Sequence, residues 1–107
     1  MSPEVKEKIN SLLASNKILV FMKGTKLMPQ CGFSNNVAQI LNSLGAPYET
    51  IDVLADYDIR QGIKEYSNWP TIPQVYIGGE FIGGSDIMIE LYQSGKLQEM
   101  VEVALAS

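Results

Sequence analysis

The chain has 107 residues, 46% of them hydrophobic, with a formal net charge of −4 and no histidine. That size and composition suit one compact domain over residues 1–107 with an ordinary core, and leave no room for a second. Its eight basic residues are scattered, which argues against nucleic-acid binding, a function that leans on clustered lysine and arginine.

Ser2-Pro3-Glu4 reads as a helix start, with serine as N-cap, proline at the first helical position and an acid in the first turn. Val5, Ile9, Leu12 and Leu13 then share one helical face. Ile18-Leu19-Val20-Phe21-Met22 is an unbroken apolar run of strand length, predicting a central strand buried on both faces. After a loop from Gly24 to Gln30, Val37, Ile40, Leu41 and Leu44 recur at helical spacing, and Gly45 followed by Pro47 supplies the stop. Tyr48 to Asp52 reads as a second strand, completing a βαβ unit whose strands should run parallel. Ile59 to Tyr66 fits a short helix, and Asn68 to Pro73 a rigid, turn-rich link. Val75-Tyr76-Ile77, Gly78-Gly79 and Glu80-Phe81-Ile82 predict a hairpin closed by a glycine turn. Gly83-Gly84-Ser85-Asp86 opens a further helix that Gly95 ends, and Leu97, Val101, Ala104 and Leu105 mark the last. The order predicts an α/β sandwich around a four-stranded mixed sheet.

The lone cysteine, Cys31, falls where the first strand gives way to a helix. A thiol there faces unpaired backbone N–H groups and the positive end of the helix dipole, both of which favour thiolate. The alternative is a buried cysteine acting as a small hydrophobe. One cysteine without histidine allows neither an internal disulfide nor a zinc site of the Cys/His kind within one subunit, so stable sulfur chemistry must borrow thiols from outside. Met1-Ser2-Pro3-Glu4 lacks a leader pattern, and no apolar run approaches the ~20 residues that span a bilayer. With a lone thiol that suits a reducing compartment, the expectation is a soluble cytoplasmic protein without membrane contact.

Lys23-Gly24-Thr25, Cys31-Gly32-Phe33-Ser34, Trp69-Pro70-Thr71-Ile72-Pro73 and Gly83-Gly84-Ser85-Asp86, in this order, resemble the motifs of monothiol glutaredoxins of the CGFS type, which have the thioredoxin fold. Dithiol relatives carry a second cysteine where this chain has Ser34. The resemblance implies that Lys23 and Arg60 hold a glutathione carboxylate, although alone each reads as a solvated surface charge. It implies that Ile72, ahead of a cis proline, offers its backbone to the tripeptide as an added strand would. It implies that the helix start after Gly84 takes the γ-glutamyl carboxylate, with backbone contacts at Ser85, while Asp86 accepts from the ammonium. By itself Asp86 reads more readily as an N-cap. Phe33 and Trp69 each fit packing or lining the site; Phe33, just after the thiol, is expected to contact the ligand and Trp69 to be mostly structural.

The resemblance also implies a 2Fe-2S cluster. Such a cluster needs four ligands, usually thiolates. Cys31 from each of two chains and two glutathione thiols would complete the set, giving a homodimer bridged by the cluster, with transfer to apo iron-sulfur proteins and partnership with BolA-like proteins. The alternative is a glutathione-dependent oxidoreductase that removes glutathione from proteins through Cys31, slowed by the extended Thr25 to Gln30 loop.

Overall fold

The run Ile18–Met22 forms strand β1 with every residue buried, in a computed structural model that describes residues 1–107. Because side chains alternate across a strand, Ile18, Val20 and Met22 enter one apolar cluster while Leu19 and Phe21 enter another. Each face must then be covered. Helices α1 (Pro3–Ser15) and α3 (Tyr57–Ser67) bring Ile9, Leu13, Ile59 and Ile63 to the Leu19 and Phe21 side. Helices α2 (Gly32–Leu44), α4 (Ser85–Gln93) and α5 (Lys96–Ala106) bring Val37, Leu41, Met88, Leu97 and Val101 to the other.

The sheet has the order β2-β1-β3-β4, with β2 at Glu49–Asp52, β3 at Gln74–Ile77 and β4 at Glu80–Gly83. Strand β2 runs parallel to β1 with Thr50 opposite Val20, as a βαβ unit requires, and β3 runs antiparallel with Val75 opposite Val20. Gly78 and Gly79 turn the chain from β3 into β4 with positive φ at both, 61° and 81°. This is the expected α/β sandwich of thioredoxin-like form, with a four-stranded mixed sheet between two layers of helices. No helix is long and apolar enough to cross a membrane.

Caps explain where the observed boundaries differ from the predicted ones. Ser2 caps α1 as expected, accepting from the Val5 N–H at 3.2 Å. Helix α3 starts at Tyr57 rather than Ile59, because the Asp56 carboxylate accepts from the Ile59 N–H at 3.1 Å and so sets the first turn earlier. Strand β2 starts at Glu49, where pairing with Leu19 of β1 begins; Tyr48 just before it is buried, its hydroxyl donating to Asn42 Oδ1 at 2.8 Å.

The loop after β1 positions the site. The Gly24 N–H donates to Asp52 Oδ1 and the Gln30 N–H to Lys23 O, each at 2.9 Å, while Thr25 and Met28 exchange backbone hydrogen bonds. The chain is thereby folded back so that Cys31 follows close beside Lys23. Gly24 has φ of +90°, and a Cβ there would lie 2.4 Å from Met28 O and 2.7 Å from Gln30 N. Gly24→Ala should therefore lower the unfolding free energy by at least ~1–2 kcal/mol in a urea titration. Unchanged stability would show that the loop rearranges without cost.

Candidate functional site

Cys31 is the N-cap of α2, with extended backbone, so its sulfur lies at the start of the helix. The thiol is partly exposed, which excludes the reading of an inert core cysteine. Its pKa is lowered, first by hydrogen bonding from the Ser34 N–H, against the opposing effect of partial burial, and further by the Phe33 N–H, the Ser34 hydroxyl and the Lys23 charge. These are the donors that a helix N-terminus leaves free. Ser34 itself is fully buried, and its Oγ accepts from the Lys23 N–H at 3.1 Å. The motif marks Ser34 only as the absence of a second thiol; its burial beside the end of β1 is visible only in the fold.

A groove of about 470 Å³ opens at Cys31, and Lys23, Phe33, Ile72, Ser85 and Asp86 all line it. Arg60 does not. It lies half-buried on α3, with Nε enclosed and without a hydrogen-bond partner. Lys64, one turn further along the same helix, lines the groove instead. The signal for it was the i, i+4 spacing, which places Arg60 and Lys64 on one face of α3. The ion pairs of the chain join the N-terminal amine to Glu65, Lys8 to Asp56 and Lys26 to Glu49, so Lys23 and Lys64 face the groove without an anionic partner.

The opposite wall presents backbone. Ile72 sends its side chain into the core beneath α1 and α3, while its N–H and C=O make no hydrogen bond within the chain. The Ile72-Pro73 peptide is cis, as the resemblance implied. Across from it, a Cβ on Gly84 would lie 3.0 Å from Pro73 O, so a glycine keeps the two walls from colliding. Gly84, not Asp86, is the N-cap of α4, and no side chain closes on the first-turn N–H groups. Asp86 sits in that first turn, exposed and without an ion pair. The Ser85 hydroxyl accepts from Asn36 Nδ2 at 3.3 Å, which ties α4 to α2. Phe33 is 61% exposed beside the thiol. Trp69 does more than the sequence suggested: it packs on Phe81 with ring centroids 5.9 Å apart and also lines the groove.

Chemically, the groove offers an ionisable sulfur, two unpaired ammonium groups, an unpaired backbone edge, a free helix N-terminus and one carboxylate. No group of three or more His, Cys, Asp or Glu side chains is placed to hold a metal, so ligation at Cys31 requires further thiolates from outside the chain.

The depressed thiol pKa has a direction that can be tested. Since the folded value lies below the unfolded one, ionised Cys31 adds stability above the unfolded titration range, and that contribution is lost as pH falls through the folded value. Alkylation by iodoacetamide as a function of pH should show a midpoint below that of ordinary cysteine. Ser34→Ala should move the midpoint up by removing a donor. A wild-type midpoint at the ordinary value would refute the arrangement described for the sulfur.

The glutaredoxin family model matches residues 18–82. A Synechocystis protein named as an uncharacterised ycf64-like monothiol glutaredoxin is 78% identical over the whole of both chains. The chloroplastic monothiol glutaredoxins S7 of rice and S14 of Arabidopsis are 55% and 52% identical over all of this chain, which spans 64% and 62% of their lengths. Their names correct the cytoplasmic expectation. A lone thiol indicates only a reducing compartment, and a plastid interior meets that condition as well as cytoplasm does. Among solved structures, reduced apo GrxS14 of poplar aligns over 99% of this chain and 97% of its own at 55% identity, with a TM-score of 0.87. The holo form of poplar glutaredoxin C1 aligns over 97% and 92% at 28% identity, with a TM-score of 0.87. The buckwheat glutaredoxin-glutathione complex aligns over 97% and 96% at 30% identity, with a TM-score of 0.80. By sequence and by fold alike, this chain belongs to the glutaredoxin family and stands with its monothiol members.

Proposed function

We propose that the chain binds glutathione in the groove at Cys31 and, with the glutathione thiol, holds a 2Fe-2S cluster as cargo for apo iron-sulfur proteins. The observation that carries this reading is the convergence of Lys23, Lys64, the unpaired Ile72 backbone and the Asp86 helix start on one thiolate-favouring cysteine. A tripeptide with a carboxylate at each end and an ammonium at one matches that spread of charge. Lys23 and Lys64 hold the glycyl carboxylate, Ile72 pairs with the central peptide, and the first turn of α4 takes the γ-glutamyl carboxylate while Asp86 accepts from its ammonium. Ser85 contributes its backbone, and Phe33 shields the sulfur from one side. The complex of the buckwheat relative with glutathione supports the ligand.

The sulfur side fits a soft metal: Cys31 is accessible, held toward thiolate by the Ser34 and Phe33 N–H groups and the Lys23 charge, and free of any competing protein ligand. When bound, the cluster is the group delivered to the recipient. Two chains and two glutathiones supply its four thiolates, which makes the loaded form a homodimer. Glutathione, held by ion pairs and backbone contacts alone, can dissociate and release the cargo. BolA-like proteins are proposed as partners of that dimer.

A second reading rests on the same accessible thiolate. Cys31 attacks the glutathione sulfur of a glutathionylated protein, the protein thiolate leaves, and a second glutathione thiolate attacks the resulting mixed disulfide, releasing glutathione disulfide and regenerating Cys31. For this the two glutathiones must meet at one sulfur, and a misplacement near 1 Å costs about a hundredfold in rate.

Reconstitution with iron, sulfide and glutathione should yield a visible chromophore and a doubling of mass by sedimentation. Cys31→Ser should abolish both, and a Cys31→Ser protein that still carries iron and acid-labile sulfide would overturn the carrier reading. Fast deglutathionylation without cluster transfer to an apo-ferredoxin, on one preparation, would favour the second reading. In calorimetry, Lys23→Ala, Lys64→Ala and Asp86→Ala should each weaken glutathione binding by about 1–3 kcal/mol. Arg60→Ala should cost less than Lys64→Ala, since Arg60 lies outside the groove wall.

A further inference from the structure

Gln74 is the one residue at the start of β3 whose side chain is polar and fully buried. Its Nε2 donates to Trp69 O at 3.0 Å and to Thr71 O at 3.2 Å, and its Oε1 accepts from the Tyr76 hydroxyl at 3.2 Å. Two carbonyl partners require an NH2 and a hydroxyl donor requires an oxygen, so the amide has a single workable orientation with both hydrogens and its oxygen engaged. Tyr76 is itself held by rings on three sides, with centroid distances of 5.6 Å to Phe21, 6.4 Å to Tyr66 and 5.5 Å to Phe81.

The partners of Gln74 belong to the segment that forms the backbone wall of the groove. From Pro70 to Pro73 the sole hydrogen bond to the main chain is the one from Gln74 to Thr71 O. Trp69 is anchored from the other side through its N–H, which donates to Lys64 O at 3.1 Å and Ser67 Oγ at 3.2 Å. A leucine or methionine would satisfy the apolar surroundings of position 74 without the desolvation that a buried amide incurs. What only the amide supplies is a fixed distance between the core of the sheet and the carbonyls flanking Ile72.

We propose that Gln74 is a positioning residue for the tripeptide: through Trp69 and Thr71 it sets the height and direction of the unpaired Ile72 edge, without touching the ligand. The inference rests on the glutathione reading above. It accounts for how a strand-like edge outside the sheet, with no ladder to hold it, stays aligned for an incoming backbone. The cost of ordering that edge is met on folding instead of on binding.

The test uses the full chain and glutathione as the probe. Gln74→Met removes all three hydrogen bonds at nearly constant volume, and should weaken glutathione binding about tenfold by calorimetry. The emission of Trp69, the single tryptophan of the chain, should shift in the folded variant, while the alkylation midpoint of Cys31 stays where it is in wild type. Val101→Ala, a cavity on the opposite face of the sheet, serves as the destabilised control and should lower the melting temperature without affecting affinity or emission. Should Gln74→Met fail to fold, Tyr76→Phe carries the test: loss of one anchor on the amide should cost about two- to threefold in affinity and shift Trp69 emission in the same direction. Wild-type protein that does not bind glutathione would overturn the glutathione reading itself. Wild-type binding, with affinity unchanged in the Gln74 variant, or in the Tyr76 variant where that carries the test, and Trp69 emission unmoved, would overturn the positioning role alone.

Discussion

A strand with no side chain left for solvent imposes the architecture. Because all of Ile18 to Met22 is buried, β1 must have neighbours on both edges and helices on both faces, and any exposed chemistry has to lie beyond its ends. The carboxyl end is where the chain leaves the sheet at Lys23, turns back through a hydrogen-bonded loop and enters α2 at Cys31. Site and core are therefore consequences of one constraint. The same strand that closes two apolar clusters delivers a backbone N–H, that of Lys23, to the buried Ser34 hydroxyl beneath the sulfur.

The electrostatics of the groove run against those of the molecule. The net charge is −4, yet Lys23 and Lys64 reach the groove with no acidic neighbour paired to either. The lysines that do form ion pairs, Lys8 and Lys26, lie elsewhere. Cations left unpaired beside a thiolate-favouring cysteine favour an anionic ligand there and lend charge to the ionised sulfur at once. Two helix N-termini, those of α2 and α4, open on the same space without side-chain caps, so dipoles and formal charges point the same way.

Buried polar groups are few, and those present are tied to the groove. Ser34 contacts the end of β1, Gln74 holds the carbonyls of Trp69 and Thr71, and Ser85 joins α4 to α2. Each is satisfied by hydrogen bonds and each joins elements that carry ligand-facing atoms. The rest of the core is apolar and fixes only which elements pack together.

Much was legible along the chain because it depends on local pattern. The unbroken apolar run announced a doubly covered strand, the serine and proline at the start announced α1, and paired glycines announced the hairpin, since cap and turn chemistry act within a few residues. The place of Cys31 at a helix N-terminus followed from the strand-to-helix junction for the same reason. The motifs also placed Lys23, Ile72 and Asp86, but only by resemblance; no spacing rule relates residues that meet across a fold. Tertiary structure alone decided that Lys64 and not Arg60 lines the groove, since two cations on one helix face look alike in the sequence. It alone decided that Ser34 is buried against the end of β1 and that Gln74 reaches the Thr71 carbonyl, since burial and hydrogen-bond direction are set by neighbours distant in sequence. The compartment was decided by neither: a reduced thiol has the same chemistry in any reducing compartment.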